Sequence, residues 1–97
     1  MRISAIQKDV LYVLAVLEGK KILEPVPLVK ILTIVNAGRS RDIHTNNFRV
    51  SCHTLVDNGL LQKYRSRSLH LAFTLSESGR QLAGLVRAER DKAAKGD

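Results

Sequence analysis

The sequence predicts an α+β fold, mainly α, and three features of its 97 residues carry that prediction. Three stretches before Asn58 repeat their apolar residues at three- and four-residue steps, the spacing of one helix face. The stretch from Leu61 to Leu75 contains apolar residues alternating with polar or small ones, the pattern of a half-buried strand. The chain then returns to helical spacing. The order is therefore helix, helix, helix, strand, strand, helix, in a single domain over residues 1–92, with a tail, 93–97, expected to fray.

Each element has a local cause. In "SAIQKDVLYVLAVLEGK", Ser4 and Gln7 have capping-box spacing, each side chain satisfying a free backbone N–H of the first turn. Ile6, Val10, Leu11, Leu14 and Leu17 form one stripe and Gly19 offers a stop, so a helix is expected over about 4–17. In "KKILEPVPLVKILTIVNAG" two prolines intervene. Proline is tolerated in the first turn of a helix and not deeper, so the second helix should begin near Pro27. It should bury Leu28, Ile31, Leu32 and Val35 and end at Asn36-Ala37-Gly38. Ile22-Leu23, just before, is either a short strand or an extended lead-in.

"RSRDIHT" is a polar connector without a period. In "NNFRVSCHTLVDNGLL" the apolar stripe is Phe48, Cys52, Leu55 and Val56, with Thr45 or Asn46 as N-cap and Asn58-Gly59 as stop, giving a third helix at about 45–57. Leu69, Leu71, Phe73 and Leu75 then alternate as a strand that Leu61 to Tyr64 can pair with, leaving Arg65-Ser66-Arg67-Ser68 as the hairpin tip. A last helix follows, capped by Ser76, with Leu82, Leu85 and Val86 facing inward. Its acidic start at Glu77 and basic end suit the helix dipole.

Composition narrows the function classes. With two Phe, two Tyr and no Trp, the core is expected to be aliphatic. Such a small core gives limited stability, which burial in a dimer would raise. The net charge is +7 and is unevenly placed. Residues 39–67 hold six basic side chains (Arg39, Arg41, Arg49, Lys63, Arg65, Arg67) against Asp42 and Asp57, so a polyanionic partner is expected to dock there. One cysteine excludes an internal disulfide and suits a reducing compartment. The sequence shows neither a signal-peptide pattern nor an apolar run long enough to span a membrane, so a cytoplasmic protein is expected. No phosphate loop, nucleophile elbow, H-E-x-x-H or paired carboxylates occur, and no enzyme activity is expected. His44, His53, His70 and Cys52 lack the close spacing of metal ligands, so neither metal nor cofactor is expected.

Two passages resemble a known family. "FRVSCHTLVDNGLLQKY" is similar to the recognition-helix-to-wing passage of winged helix-turn-helix regulators. "LAFTLSESGRQL" resembles the strand-to-helix ending of MarR- and PadR-type regulators, Leu-Thr-x-x-Gly-Arg, with Ser76 in place of the Thr and Gly79-Arg80 at the right spacing. The resemblance covers residues 4 to about 88. It implies a winged helix: a three-helix core with a helix-turn-helix, a β-hairpin wing and a C-terminal helix. The chain departs from the pattern in its longer connector from Gly38 to Thr45. It departs also in the absence of the extra terminal helices of MarR-type proteins and of the large C-terminal domain of many PadR-type ones. Effector sensing is therefore not implied as the fold is.

The resemblance also implies a partner, double-stranded DNA, and a homodimeric regulator, a repressor on a palindromic site; the dimer is expected to pair through apolar surface of the first and last helices. With the third helix in a major groove, Thr45 would belong to the DNA-contacting set, Asn46 and Asn47 would meet adenine edges or phosphates, and Arg49 a guanine through its fork. Val50, if exposed, would touch a thymine methyl, and His53 a phosphate. Arg65 and Arg67 of the wing would take the adjacent minor groove or backbone, while Lys63, Arg39 and Arg41 position the duplex. Plainer readings stand beside these. Asn46 and Asn47 are good caps, Arg49 suits solvated surface, and the Arg-Ser-Arg-Ser tip suits a soluble turn. Cys52 reads as a small core residue, a redox switch being the lesser option. The rival function is a winged-helix protein-interaction module; binding of RNA or single strands ranks last, because Tyr64 alone offers a stacking ring.

Overall fold

The structure, a computed structural model, describes residues 2–95. Helix α1 (Ala5–Gly19) opens on the expected capping box: the Gln7 N–H donates to Ser4 Oγ at 3.1 Å and the Ser4 N–H to Gln7 Oε1 at 3.0 Å. The stop differs from expectation. Gly19 lies inside the helix, and the chain turns left-handed at Lys21 (φ 70), where the Ile22 N–H reaches back to the Leu17 carbonyl. A Cβ at Gly19 would stand 2.7 Å from the Arg87 guanidinium, the far end of a flexible side chain that can move aside, so the position does not require glycine.

A third strand was not legible in the sequence. Ile22-Leu23 forms no strand; the extended pair is β1 (Val26–Pro27), which runs antiparallel to the later strand with Val26 opposite Phe73. Pro27 has no N–H to donate, which suits an edge strand, and it then leads into α2 (Leu28–Ala37) as expected. Leu28, Ile31 and Val35 are buried and Leu32 half-buried. The connector after Gly38 is tethered, since the Ile43 N–H donates to Asn36 Oδ1 at 2.8 Å and the Ile43 side chain packs on the core.

Helix α3 (Thr45–Asp57) has the expected bounds and stop. Gly59 takes φ 76, and the Leu60 N–H returns to the Leu55 carbonyl. Strands β2 (Leu61–Arg65) and β3 (Leu71–Leu75) pair from Leu61↔Leu75 to Arg65↔Leu71, giving a sheet of order β1-β3-β2. The hairpin tip therefore spans Ser66 to His70, longer than the four residues expected. Leu69 departs from the strand pattern with φ 63 and an exposed side chain.

Helix α4 (Glu77–Lys95) is capped by Ser76, whose Oγ accepts from the Gly79 N–H at 3.0 Å and donates to the Gly59 carbonyl at 2.6 Å. It continues as helix past Ala93 to Lys95; the final residues of the expected tail, 96 and 97, lie outside the described residues. Leu82 and Val86 face inward as expected, but Leu85 is exposed and Ala83 fills the buried position. At about 100° per residue, the inward positions 79, 82, 83 and 86 share one face, with Leu82 half-buried, and Leu85 falls well outside it.

The core lies between α1, α2, α3 and the inner face of the sheet. It is aliphatic except at its centre, where Phe48 and Phe73, both fully buried, are the largest side chains. Leu11, Leu14 and Leu17 of α1 are all used inside this core, so α1 leaves no leucine for a dimer and α4 leaves only Leu85. Ion pairs tie the long helices. Asp9 of α1 accepts from Arg39, after α2, and from Arg90 of α4, whose guanidinium also lies 5.1 Å from the Tyr12 ring centre. Glu18 accepts two hydrogen bonds from Arg80, at 2.8 and 3.0 Å, and this pairing also holds the Arg80 pKa above its ordinary value. No helix among the described residues is long and apolar enough to cross a membrane.

Candidate nucleic-acid interface

Packing of one face of α3 decides what its other face presents. Phe48, Cys52 and Leu55 are completely buried, so at helical spacing Asn46, Asn47, Arg49 and Val50 turn outward and all four are exposed. Neither asparagine caps the helix. The cap position belongs to His44, whose side chain makes no capping bond, and Thr45, Asn46 and Asn47 form the first turn itself. The capping reading is thereby corrected, and the two amides are exposed beside backbone N–H groups that no side chain of the cap residue satisfies. Val50 meets the condition placed on it, with 63 % of its surface accessible. His53, one turn on, is half-buried.

The outward face of α3 borders a cleft of about 670 Å³. Arg49 and His53 line it from α3, Arg65 from β2, and Pro27, Leu28 and Val29 from the start of α2. Ser66, Ser68, Leu69 and His70 of the wing tip, with Leu71 and Ala72 of β3, complete its lining. Residues scattered over half of the sequence thus share one concave surface. Three of them were expected at the site: Arg49, His53 and Arg65. Arg67 is exposed at the tip without lining the cleft, Lys63 is exposed on the edge strand β2, and Arg41 is exposed in the connector.

Arg39 belongs elsewhere. Its Nε donates to Asp9 Oδ2 at 3.0 Å, and it lines a separate concavity with Tyr12, Ile34 and Arg90. The guanidinium is engaged in holding α1, the end of α2 and α4 together. Val29 and Leu69 are additions that sequence reading missed. For Val29 the signal was available: it falls off the Leu28, Ile31, Leu32, Val35 stripe and had to face outward. For Leu69 it was hidden, because the residue fits the alternation of the strand that begins only at Leu71.

The tip is closed by its own hydrogen bonds. The Ser66 N–H donates to the His70 carbonyl at 3.0 Å, the Leu69 N–H to the Ser66 carbonyl at 2.9 Å, and the His70 N–H to Ser66 Oγ at 3.1 Å. Arg65 Nη1 donates to the Leu69 carbonyl at 3.1 Å. Cys52 takes no part in the site. Burial pushes its thiol up to about 12, the opposite of the low pKa that a redox switch needs. Among the described residues no three His, Cys, Asp or Glu side chains gather closely enough to hold a metal ion.

Solved structures share this architecture. Lactococcus lactis ZitR, described as a zinc-responsive MarR family member, matches with TM-score 0.74 at 16% identity, over 97% of this chain and 58% of ZitR. The adhesin competence repressor AdcR of Streptococcus pyogenes matches with TM-score 0.74 at 14% identity, over 96% of this chain and 61% of AdcR. F-93 of SSV1 matches with TM-score 0.71 at 18% identity, over 100% of this chain and 98% of F-93. The chain spans less than two thirds of the first two proteins and nearly all of the third. No protein-family model and no curated protein matches the sequence. At these identities the likeness establishes the fold: the chain is a winged helix, similar in architecture to MarR-family regulators.

Proposed function

We propose that the chain is a sequence-specific, double-stranded-DNA-binding transcription regulator, a repressor acting as a cytoplasmic homodimer on a palindromic site. The observation that carries this reading is the shared cleft, into which Arg49 and His53 of α3 and Arg65 of the wing all open, in the most basic segment of the chain. A helix flanked by a basic hairpin fits a duplex, the helix in the major groove and the hairpin on the adjacent minor groove or backbone. ZitR, a MarR family member, and AdcR, a repressor, support the regulatory half of the proposal.

On this reading Arg49 reads a guanine, Asn46 and Asn47 read adenine edges or hold phosphates, and Val50 meets a thymine methyl. Thr45, His53, Arg41, Lys63, Arg65 and Arg67 hold the backbone and set the register. Arg39, engaged by Asp9, is left out of the contact set. The dimer forms about α4, where Leu85 is exposed beside Gly84, a position open to close approach, with α1 packed alongside. Half-sites then lie about one helical turn of DNA apart, or a multiple of it.

Selection of bound sequences from a random duplex pool, with the purified full chain, tests fold-to-function directly. Enrichment of an inverted repeat is the expected result. A pool that stays random overturns sequence specificity, and enrichment of a lone half-site overturns the symmetric dimer. Failure to shift random duplex at low salt and micromolar protein would favour the protein-interaction module.

A further inference from the structure

The wing tip holds a leucine where a soluble turn would place a polar residue. Leu69 is 69 % exposed and its backbone stands at φ 63. In that left-handed region a β-carbon crowds the following carbonyl, so glycine or asparagine is the usual occupant. The surrounding bonds hold this conformation rather than relieve it. The Leu69 N–H is tied to the Ser66 carbonyl, the Leu69 carbonyl accepts from Arg65, and the next residue's N–H is tied to Ser66 Oγ. The disfavoured backbone costs stability and the exposed side chain gives none back by burial, and strained residues concentrate at functional sites.

We propose that Leu69 is an apolar wedge that enters the minor groove of duplex DNA and partly unstacks one base step. The proposal rests on the DNA-binding reading above and adds how the wing contributes to sequence choice. Arg65 and Arg67 stand in the same short hairpin as the wedge, so its tip carries guanidinium groups complementary to the phosphates that border the groove. Leu69 also borders the cleft that Arg49 and His53 line, which places the tip and the outward face of α3 on one side of the molecule. A leucine makes no hydrogen bond to a base edge. It therefore discriminates by how readily a step opens, and pyrimidine–purine steps open most readily.

The test uses the full chain and a duplex recovered from the pool selection, with 2-aminopurine placed at successive steps flanking each half-site. Binding of the wild type should raise 2-aminopurine fluorescence at one step per half-site. Leu69→Gly and Leu69→Asn both accept the left-handed backbone, so the turn is retained. Each should abolish the rise and weaken binding about ten-fold or more, the scale of burying one leucine side chain. The slope of log K against log salt should not change, because no charge is removed. Leu69→Met should keep the fluorescence rise.

A glycine variant equal to wild type in affinity and fluorescence would overturn the wedge and leave DNA binding standing. A wild type that binds with no rise at any step overturns it as well. A wild type that binds no duplex overturns both readings together.

Discussion

Arg49 and Arg67 separate two ways in which one charged residue type can act. Arg49 projects from the middle of α3 beside the cleft, where its planar fork suits the two acceptors of a guanine edge. Arg67 sits at the tip and suits a phosphate. Arg49→Ala should relax preference at one base pair by about 1–3 kcal/mol and leave the other positions unchanged. Arg67→Ala should weaken binding to all sequences alike and reduce the salt slope by about 1 per subunit. Competition binding against single-position operator variants, repeated across a salt series, measures both; an Arg49→Ala protein with unchanged preference removes Arg49 from direct readout. Arg39 shows why charge counting alone overstates such a surface. In the sequence it is one of six basic residues in the middle segment, whereas in the fold Asp9, thirty positions earlier, claims it.

Among the elements, the junction of α3, β2 and α4 depends on two glycines for different reasons. Gly59 supplies the positive φ that ends α3. Gly79 supplies absence: a Cβ there would lie 1.8 Å from the Leu60 carbonyl oxygen, an atom of the backbone that cannot swing aside. The Gly-Arg pair of α4 thus lets the helix press onto the start of the wing while Arg80 reaches Glu18 of α1. Gly79→Ala should destabilise the chain by more than about 2 kcal/mol, the range of forced overpacking, although alanine is the better helix former. Chemical denaturation checks it, and an unchanged midpoint would show that α4 does not press there. Strand β1 carries the opposite lesson. Two residues have no period to read, and a proline argues against a strand, yet Val26 and Pro27 complete the sheet because β3 offers an open edge beside them.

For the whole molecule, the unequal distribution of charge and apolar surface sets the expected assembly. The largest excess of basic over acidic residues lies in the segment 39–67 that contains α3 and the wing, while the exposed leucine of α4 lies outside the buried face that α4 turns to the core. A protomer that grips DNA with one side and pairs through α4 would present two recognition helices to a two-fold site. Leu85→Glu should shift the protein from dimer to monomer at micromolar concentration and lower affinity for the selected site, without altering the protomer's fold. Sedimentation with matched circular dichroism follows this. A wild-type protein that is monomeric, or a variant that stays dimeric, removes Leu85 from the interface.

What the sequence by itself determined is what local forces decide. Helical spacing, the Ser4/Gln7 capping box, the Pro27 start of α2, the Gly59 stop and the Ser76 cap act over a few residues, and each stands in the fold where the sequence puts it. The buried stripe of α3 is legible in the same way, and through it the exposed set Asn46, Asn47, Arg49 and Val50. The tertiary structure alone decided how these parts meet. It assigned Arg39 to Asp9, made Gly79 a contact position, paired β1 with β3, and set Leu85 outward. It also turned Leu69 out of its strand pattern to stand on a left-handed backbone beside the cleft. Those outcomes depend on atoms from distant parts of the chain competing for the same space and the same partners, and a short-range pattern carries no record of that competition.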